Sequence, residues 1–536
     1  MNKFLITIGL AFVLLSQGFA QQATEQKTME AWYNADFDET GVYGVNTEKA
    51  WQFLKEHNRK PQELTVAVLD GGIQADHEDL QANMWVNPKE KPGNGKDDDK
   101  NGYVDDIHGW NFIGGKDGKN VDGDTLEKVR MYKYEYLPLF ESEDASKNEA
   151  NKTKYPEKYA DYEKIKETIT KKLAEANATM PQIKMLKDGI DAGFKVLIAD
   201  FQETPVTEES LGKYEPSAEA MSGMIAFGFM EKADWEGKTM QAIYESISGE
   251  LNGYLEYLNG QIQYHYNVDF ESRGIVGDNY ADKKESKYGN ADVEGPDAGH
   301  GTHVAGIIAA VRGNDKGIDG IAGNHIKIIG VRTVPNGDER DKDVANSIRY
   351  AVDNGAKILN MSFGKSHSPE REIVWEAMKY AEKKGALLIK AAGNDNVDID
   401  TEVHYPSNFD DKGTQVIQSL LTVGASTEDP LMLKATFSNY GKKSVDVFAP
   451  GANIMSTVPH DEYKAEDGTS MASPVTAGVA ALIWSHYPKL TAEEVKEIII
   501  LSVNKDPQLT DISVTGGVVD AYRAVELAEE FYKGKK

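Results

Sequence analysis

"ELTVAVLDGG", residues 63–72, is an apolar run closed by an aspartate and two glycines. Such a run reads as a strand over Leu64 to Leu69 that ends at Asp70. Outward from it the same texture returns as "IKIIGV" from Ile326, "AKILNMS" from Ala356 and "ALLIKAA" from Ala386, with amphipathic helical patterns over 341–354 and 369–384 between them. Strands alternating with helices predict an α/β fold: a parallel sheet with helices on both faces, because parallel neighbours need a crossover to return the chain.

The block 125–285 has a different pattern. Tyr155, Tyr159, Tyr162, Ile165, Ile169 and Leu173 recur at three- and four-residue steps, as do Met240, Ile243, Ile247, Leu251, Leu255 and Leu258. They predict an inserted all-helical subdomain, with Pro181 as the start of a further helix. No Glu-x-x-His pair occurs there, so a bundle packed on itself is the simpler reading than one holding a cofactor.

The chain has 536 residues, no cysteine and a formal net charge of -28. Disulfides, thiol catalysis and cysteine-ligated zinc are thereby excluded. An acidic chain with no local basic cluster argues against a nucleic-acid partner and suits oxygen-ligated cations. The apolar run from Phe4 to Leu15, followed by Gly18 and Ala20, predicts a secretory signal peptide over 1–20, and hence a secreted or periplasmic protein. No other stretch reaches membrane-spanning length.

Three distant segments carry the chemistry. Asp70 sits at the carboxyl end of a strand, where α/β sheets place functional groups. "AGHGTHVAG", residues 298–306, offers His300 at the head of a helix and His303 one turn in. "DGTSMASPVTAGVAALI", residues 467–483, places Ser470 just ahead of a helix predicted to begin near Ala472 and Pro474. Aspartate, histidine and serine in that order match one of the chain orders of the hydrolytic triad. There is no Gly-x-Ser-x-Gly elbow and no His-Glu-x-x-His, which weakens the competing hydrolase readings.

With "YGVNTEKAW" at Tyr43, "NMSFG" at Asn360 and "AAGN" at Ala391, all in order, the chain resembles the subtilisin-like serine proteases over roughly 43–110 and 290–525. The resemblance implies a short segment 21–42, a catalytic domain in two parts over 43–124 and 286–536, and a secreted serine endopeptidase acting on peptide or protein substrates. It assigns Ser470 as nucleophile, His300 as general base and acid, Asp70 as its orienting carboxylate, and Asn394 as oxyanion donor beside the Ser470 amide. The positive end of the helix lowers the pKa of His300 and Asp70 raises it, which predicts a neutral ring at rest. His303 reads as a buried hydrogen-bonding residue.

Substrate is expected as an added strand between two segments, with Ser362, Phe363 and Gly364 on one side and Ala391, Ala392 and Gly393 on the other. Lys365 stands where a second glycine is usual in the family, and Lys390 and His404 fall close to the cleft. A surface lysine is the simpler reading of these basic residues, and a preference for acidic substrate side chains the sharper one. Gly71 replaces the usual hydroxyl residue after the aspartate. A catalytically silent binding module, or a transpeptidase using the same triad, is the alternative function.

"DDDKNGYVDD", residues 97–106, spaces Asp97, Asp99, Asn101, Gly102 and Asp105 like positions of a calcium loop, with Tyr103 offering its carbonyl. A structural calcium is expected there, which the resemblance favours. The closing position is His108, so a further carboxylate has to come from elsewhere. Asp70 and His300 are 230 positions apart, a separation that makes room for the helical insertion beside the cleft. The resemblance also implies a propeptide, for which residues 21–42 are too short; the insertion is expected to take over part of that folding role. Oligomeric state is not readable.

Overall fold

The structure, a computed structural model, describes residues 32–230 and 232–534. The signal-peptide segment 1–20 lies outside the described residues. Two compact units emerge, one of residues 132–269 and one of residues 32–131 with 270–534. The helical unit is thus narrower than the block 125–285 read from the pattern, since its two stems belong with the sheet.

The larger unit holds β1 (Leu64–Asp70), β2 (Gly109–Asn111), β3 (Ile326–Arg332), β4 (Ile358–Met361), β5 (Leu387–Ala391), β6 (Leu420–Ser426), β7 (Val447–Pro450), a hairpin of β8 (Ile454–Val458) and β9 (Glu462–Glu466), and the short β10 (Asn504–Lys505) and β11 (Gly517–Val518). Nine of them form one sheet in the order β10-β11-β7-β6-β5-β4-β1-β3-β2, parallel except for the β10–β11 pair. β1 lies between β3, which it pairs with from Leu64↔Ile326 to Asp70↔Arg332, and β4.

The apolar runs follow from burial on both sides. Val66, Val68, Ile328 and Ile389 face one core, with residues of the helices Gly299–Ala309 and Thr469–His486. Ala67, Leu69, Val331 and Leu388 face the other, with residues of Asp341–Asp353 and Arg371–Lys383. This is the predicted α/β subtilisin-like architecture.

In the helical unit Pro156–Phe201 is one continuous helix of 46 residues, which corrects the start expected at Pro181. A proline inside a helix removes one backbone bond. The stacking of Ile183, Ile190, Phe194, Leu197 and Phe201 on Met240, Ile243, Ile247 and Leu251 of Met240–Gly260 outweighs that loss.

Candidate active site

Asp70 closes β1 and is buried. The helix carrying His300 begins at Gly299, and its third residue has to be glycine: a Cβ on Gly301 would lie 2.1 Å from the carbonyl of Gly72. That close approach brings His300 Nδ1 to 2.8 Å from Asp70 Oδ1. The same oxygen accepts the Gly71 amide at 2.7 Å, so a backbone N–H serves where the family usually has a hydroxyl nearby. Asp70 Oδ2 is buried and unpartnered among the described residues.

Burial pulls the His300 imidazole down, but the charge and hydrogen bond of Asp70 pull it up further, to about 9. The pull of Asp70 thus acts against the neutral ring expected from the helix end. The ring is 43% exposed, so solvent screens part of this pull. His303 is buried, with Nε2 3.0 Å from the Lys464 carbonyl, and burial pushes its pKa down.

The helix of Ser470 begins at Thr469, so the serine lies inside its first turn and not ahead of it. Pro474 is interior to this helix and has no N–H for the carbonyl of Ser470. Ser362 Oγ donates to that carbonyl at 2.8 Å instead, and Asn360 Nδ2 donates to Ser362 Oγ at 2.9 Å. Ser470 Oγ is turned to the carbonyl of Ser362, at 3.1 Å.

Asn394 is held by its oxygen. Oδ1 accepts from the Thr469 amide at 2.9 Å and from Thr469 Oγ1 at 2.8 Å, which leaves Nδ2 as a donor with no acceptor among the described residues, at the head of the Ser470 helix. The Ser470 N–H, in the first turn, has no intrahelical acceptor. Two donors thus flank the serine.

β4 and β5 pair with Met361 opposite Lys390, so 362–364 and 391–394 leave the sheet side by side. Phe363 and Ala392 turn their side chains into the cores and Ser362 and Ala391 are buried, whereas Gly364 and Gly393 are only partly buried. The surface-lysine reading is corrected: Lys365 and Lys390 are each about 1% exposed or less in their side chains or overall. Lys365 Nζ bonds Glu127 Oε2 at 2.7 Å and Asp341 Oδ1 at 2.9 Å. Arg130 completes the cluster at 2.6 Å from Glu127 Oε2. Against the penalty of burial, Arg130 and Lys365 hold the Glu127 carboxyl well below the usual range. No spacing rule in the sequence announces this network.

In the acidic loop, carboxylate oxygens of Glu90, Asp97 and Asp99 lie within 4.8 Å of one another. Asp97 accepts from the amides of Asn101 and Gly102, at 3.0 and 2.7 Å. Asn101 Oδ1 accepts from the Tyr103 amide at 2.8 Å, and the Tyr103 ring is buried against Trp110 and Tyr350. Asp105, by contrast, points elsewhere: its oxygens accept from the amides of Asn94 and Gly95 at 3.2 and 2.7 Å, and its φ of 54° turns it out of the series. Glu90, missed in the sequence, supplies the absent carboxylate, and its Oε2 is buried with no partner among the described residues. Three converging carboxylates with an orphaned oxygen fit a hard cation such as calcium.

A parallel α/β sheet thus carries an Asp–His pair at the end of β1, and Ser470 stands in the first turn of Thr469–His486 with the Asn394 amide beside it. The Subtilase family profile matches residues 62–517, and the chain belongs to this family of serine proteases. It is 41% identical over 188 residues to the thermophilic serine proteinase of Bacillus sp. (strain AK1), covering 35% of this chain and 42% of that protein. It is 37% identical over 234 residues to thermitase of Thermoactinomyces vulgaris, covering 42% of this chain and 75% of thermitase. With the halolysin-like extracellular serine protease Nep of Natrialba magadii it shares 35% over 227 residues, covering 42% and 38%. The match spans less than half of the first and third of these relatives.

Proposed function

We propose that the protein is a secreted serine endopeptidase that works through Asp70, His300 and Ser470. The observation that carries the reading is the Asp70–His300 pair, closed at 2.8 Å across 230 positions of chain. Ser470 Oγ rotates from the Ser362 carbonyl toward His300 and attacks the substrate carbonyl as His300 takes its proton. The oxyanion forms between Asn394 Nδ2 and the Ser470 N–H. His300 then protonates the leaving amine, and water releases the acyl group by the reverse sequence.

The acidic loop is the proposed structural calcium site, with Glu90, Asp97 and Asp99 as its carboxylates. Secretion rests on the apolar leader and on a relative whose name describes an extracellular protease. Among the described residues no helix is long and apolar enough to cross a membrane.

Digestion of an unstructured protein by the wild type and by Ser470→Ala tests the reading. Peptide products from the wild type alone support it; products from both, or from neither, overturn it. Products that incorporate an added amine in place of water point to transpeptidation.

A further inference from the structure

The space between the two cleft segments is not empty. A Cβ on Gly364 would lie 2.2 Å from Cε1 of His404, and one on Gly393 would lie 2.9 Å from its Nε2. The imidazole is therefore wedged between the backbones of the segments that border Ser470, where the side chain preceding the scissile bond has to go. Behind it stands Lys390, buried at 1% exposure. Its Nζ donates to the carbonyls of His404 and Pro406, each at 3.0 Å, and lies 3.5 Å from His404 Nδ1.

Two consequences follow. A protonated Lys390 has donors only, so the ring nitrogen it then faces is an acceptor and the proton of a neutral His404 sits on Nε2. That N–H has no acceptor among the described residues, and it is the edge that meets Gly393 in the cleft. Second, no carboxylate lies within ion-pair distance of Lys390 among the described residues, in contrast to Lys365, which is fully paired. Burial pushes the Lys390 ammonium down to about 7, with Glu339 acting weakly in the opposite sense. The cleft floor thus presents a hydrogen-bond donor backed by a buried lysine with no carboxylate partner among the described residues, whose ammonium form a bound carboxylate would stabilise.

We propose that His404, backed by Lys390, is the floor of this pocket and selects an acidic side chain in the residue before the scissile bond. The inference rests on the endopeptidase reading and adds its substrate class. A carboxylate accepts the Nε2 proton and supplies the negative charge that Lys390 lacks, while the ring shortens the pocket against large apolar side chains. Lys365 takes no part, because Glu127 and Asp341 already neutralise it. Asp395, which follows Asn394 in sequence, is exposed, and solvent screens its repulsion.

The test uses the full-length protein and quenched peptides that differ only in that residue: Asp, Asn, Glu, Gln, Ala, Leu or Phe. The acidic peptides are expected to exceed their amides, and Leu and Phe, by about tenfold or more in kcat/KM. His404→Gly is expected to lose that margin and to gain on Leu and Phe; Lys390→Met is expected to lose the advantage of acid over amide. Serine labelling by a fluorophosphonate establishes in parallel that each variant is folded with a competent nucleophile. Wild type that labels and cleaves but prefers Leu or Phe overturns the inference alone, as does His404→Gly that keeps the acidic margin. Wild type that neither labels nor cleaves any peptide overturns the endopeptidase reading and this inference together.

Discussion

The hydroxyl of Ser362 donates to the carbonyl of Ser470 at 2.8 Å, filling the place of the N–H that Pro474 lacks. The proline and the serine are therefore two halves of one device that fixes the turn bearing the nucleophile. Ser362→Ala leaves a buried carbonyl unpaired and is expected to cost about 1 kcal/mol of stability. In a Pro474→Ala background the restored N–H takes over, so the cost of removing the hydroxyl shrinks. Denaturant unfolding of the four proteins of this double-mutant cycle measures it; equal costs in both backgrounds refute the coupling.

Asn394 donates to the oxyanion in this account only because Thr469 holds its oxygen. Asn394→Ala is expected to lower kcat by about 10² to 10³ with KM little changed. Thr469→Val removes the hydroxyl at 2.8 Å from Oδ1 and leaves only the Thr469 N–H to hold the amide, for a smaller loss in kcat. A rise in KM with kcat intact places both residues in ground-state binding instead.

The proton on His300 sets a pH limb. Its pKa is raised from 6.5 to about 9 by Asp70 against the effect of burial, and the base must be neutral to act. Activity is therefore expected to rise with pH, with the limb in kcat/KM between 6.5 and about 9 because exposure screens the pull. Stability moves the other way: a raised pKa stabilises the fold at low pH, and that contribution is lost as pH climbs through the folded value. A limb below 6.5, or one unmoved in Asp70→Asn, contradicts the assignment.

Glu90 separates a bound cation from a solvated acidic turn. Excess chelator is expected to lower the Tm of the wild type, and Glu90→Gln to lower it without chelator and to abolish the further response. Asp105→Asn, whose carboxylate faces Asn94 and Gly95, is expected to keep the chelator response. An unchanged wild-type melt, with no metal by elemental analysis, refutes the site.

Glu127 bonds both Lys365 and Arg130 inside the buried cluster, at 2.7 and 2.6 Å, so removing its charge leaves the cluster with an excess of positive charge. Glu127→Gln is expected to cost about 3 kcal/mol. Because Glu127 is held well below its usual range, its contribution is present above the ordinary carboxylate pKa and fades as pH falls through the folded value. Denaturant midpoints at neutral and acid pH measure both effects.

What the sequence made legible was whatever a local pattern enforces. β1, β3, β4 and β5 announce themselves because strands buried on both faces have to be apolar throughout, and Asp70 stands out because it ends such a run. The proposed catalytic trio and Asn394 rest on short motifs with little freedom. Contacts between distant segments carry no such mark. Glu90 lies ahead of the loop across a proline and two glycines, and His404 is separated from Gly364 by a helix and a strand. Asp105 matched a spacing template, yet one residue with positive φ turned it away. Pro181 read as a helix start because local rules weigh the lost hydrogen bond and miss the tertiary packing that compensates it.

The central claim, a serine made nucleophilic by His300 and Asp70, is tested most directly by reaction with a fluorophosphonate probe followed by peptide mapping. The account predicts a single adduct on Ser470 in the wild type and none in Ser470→Ala. An adduct on both proteins, or on neither, contradicts it.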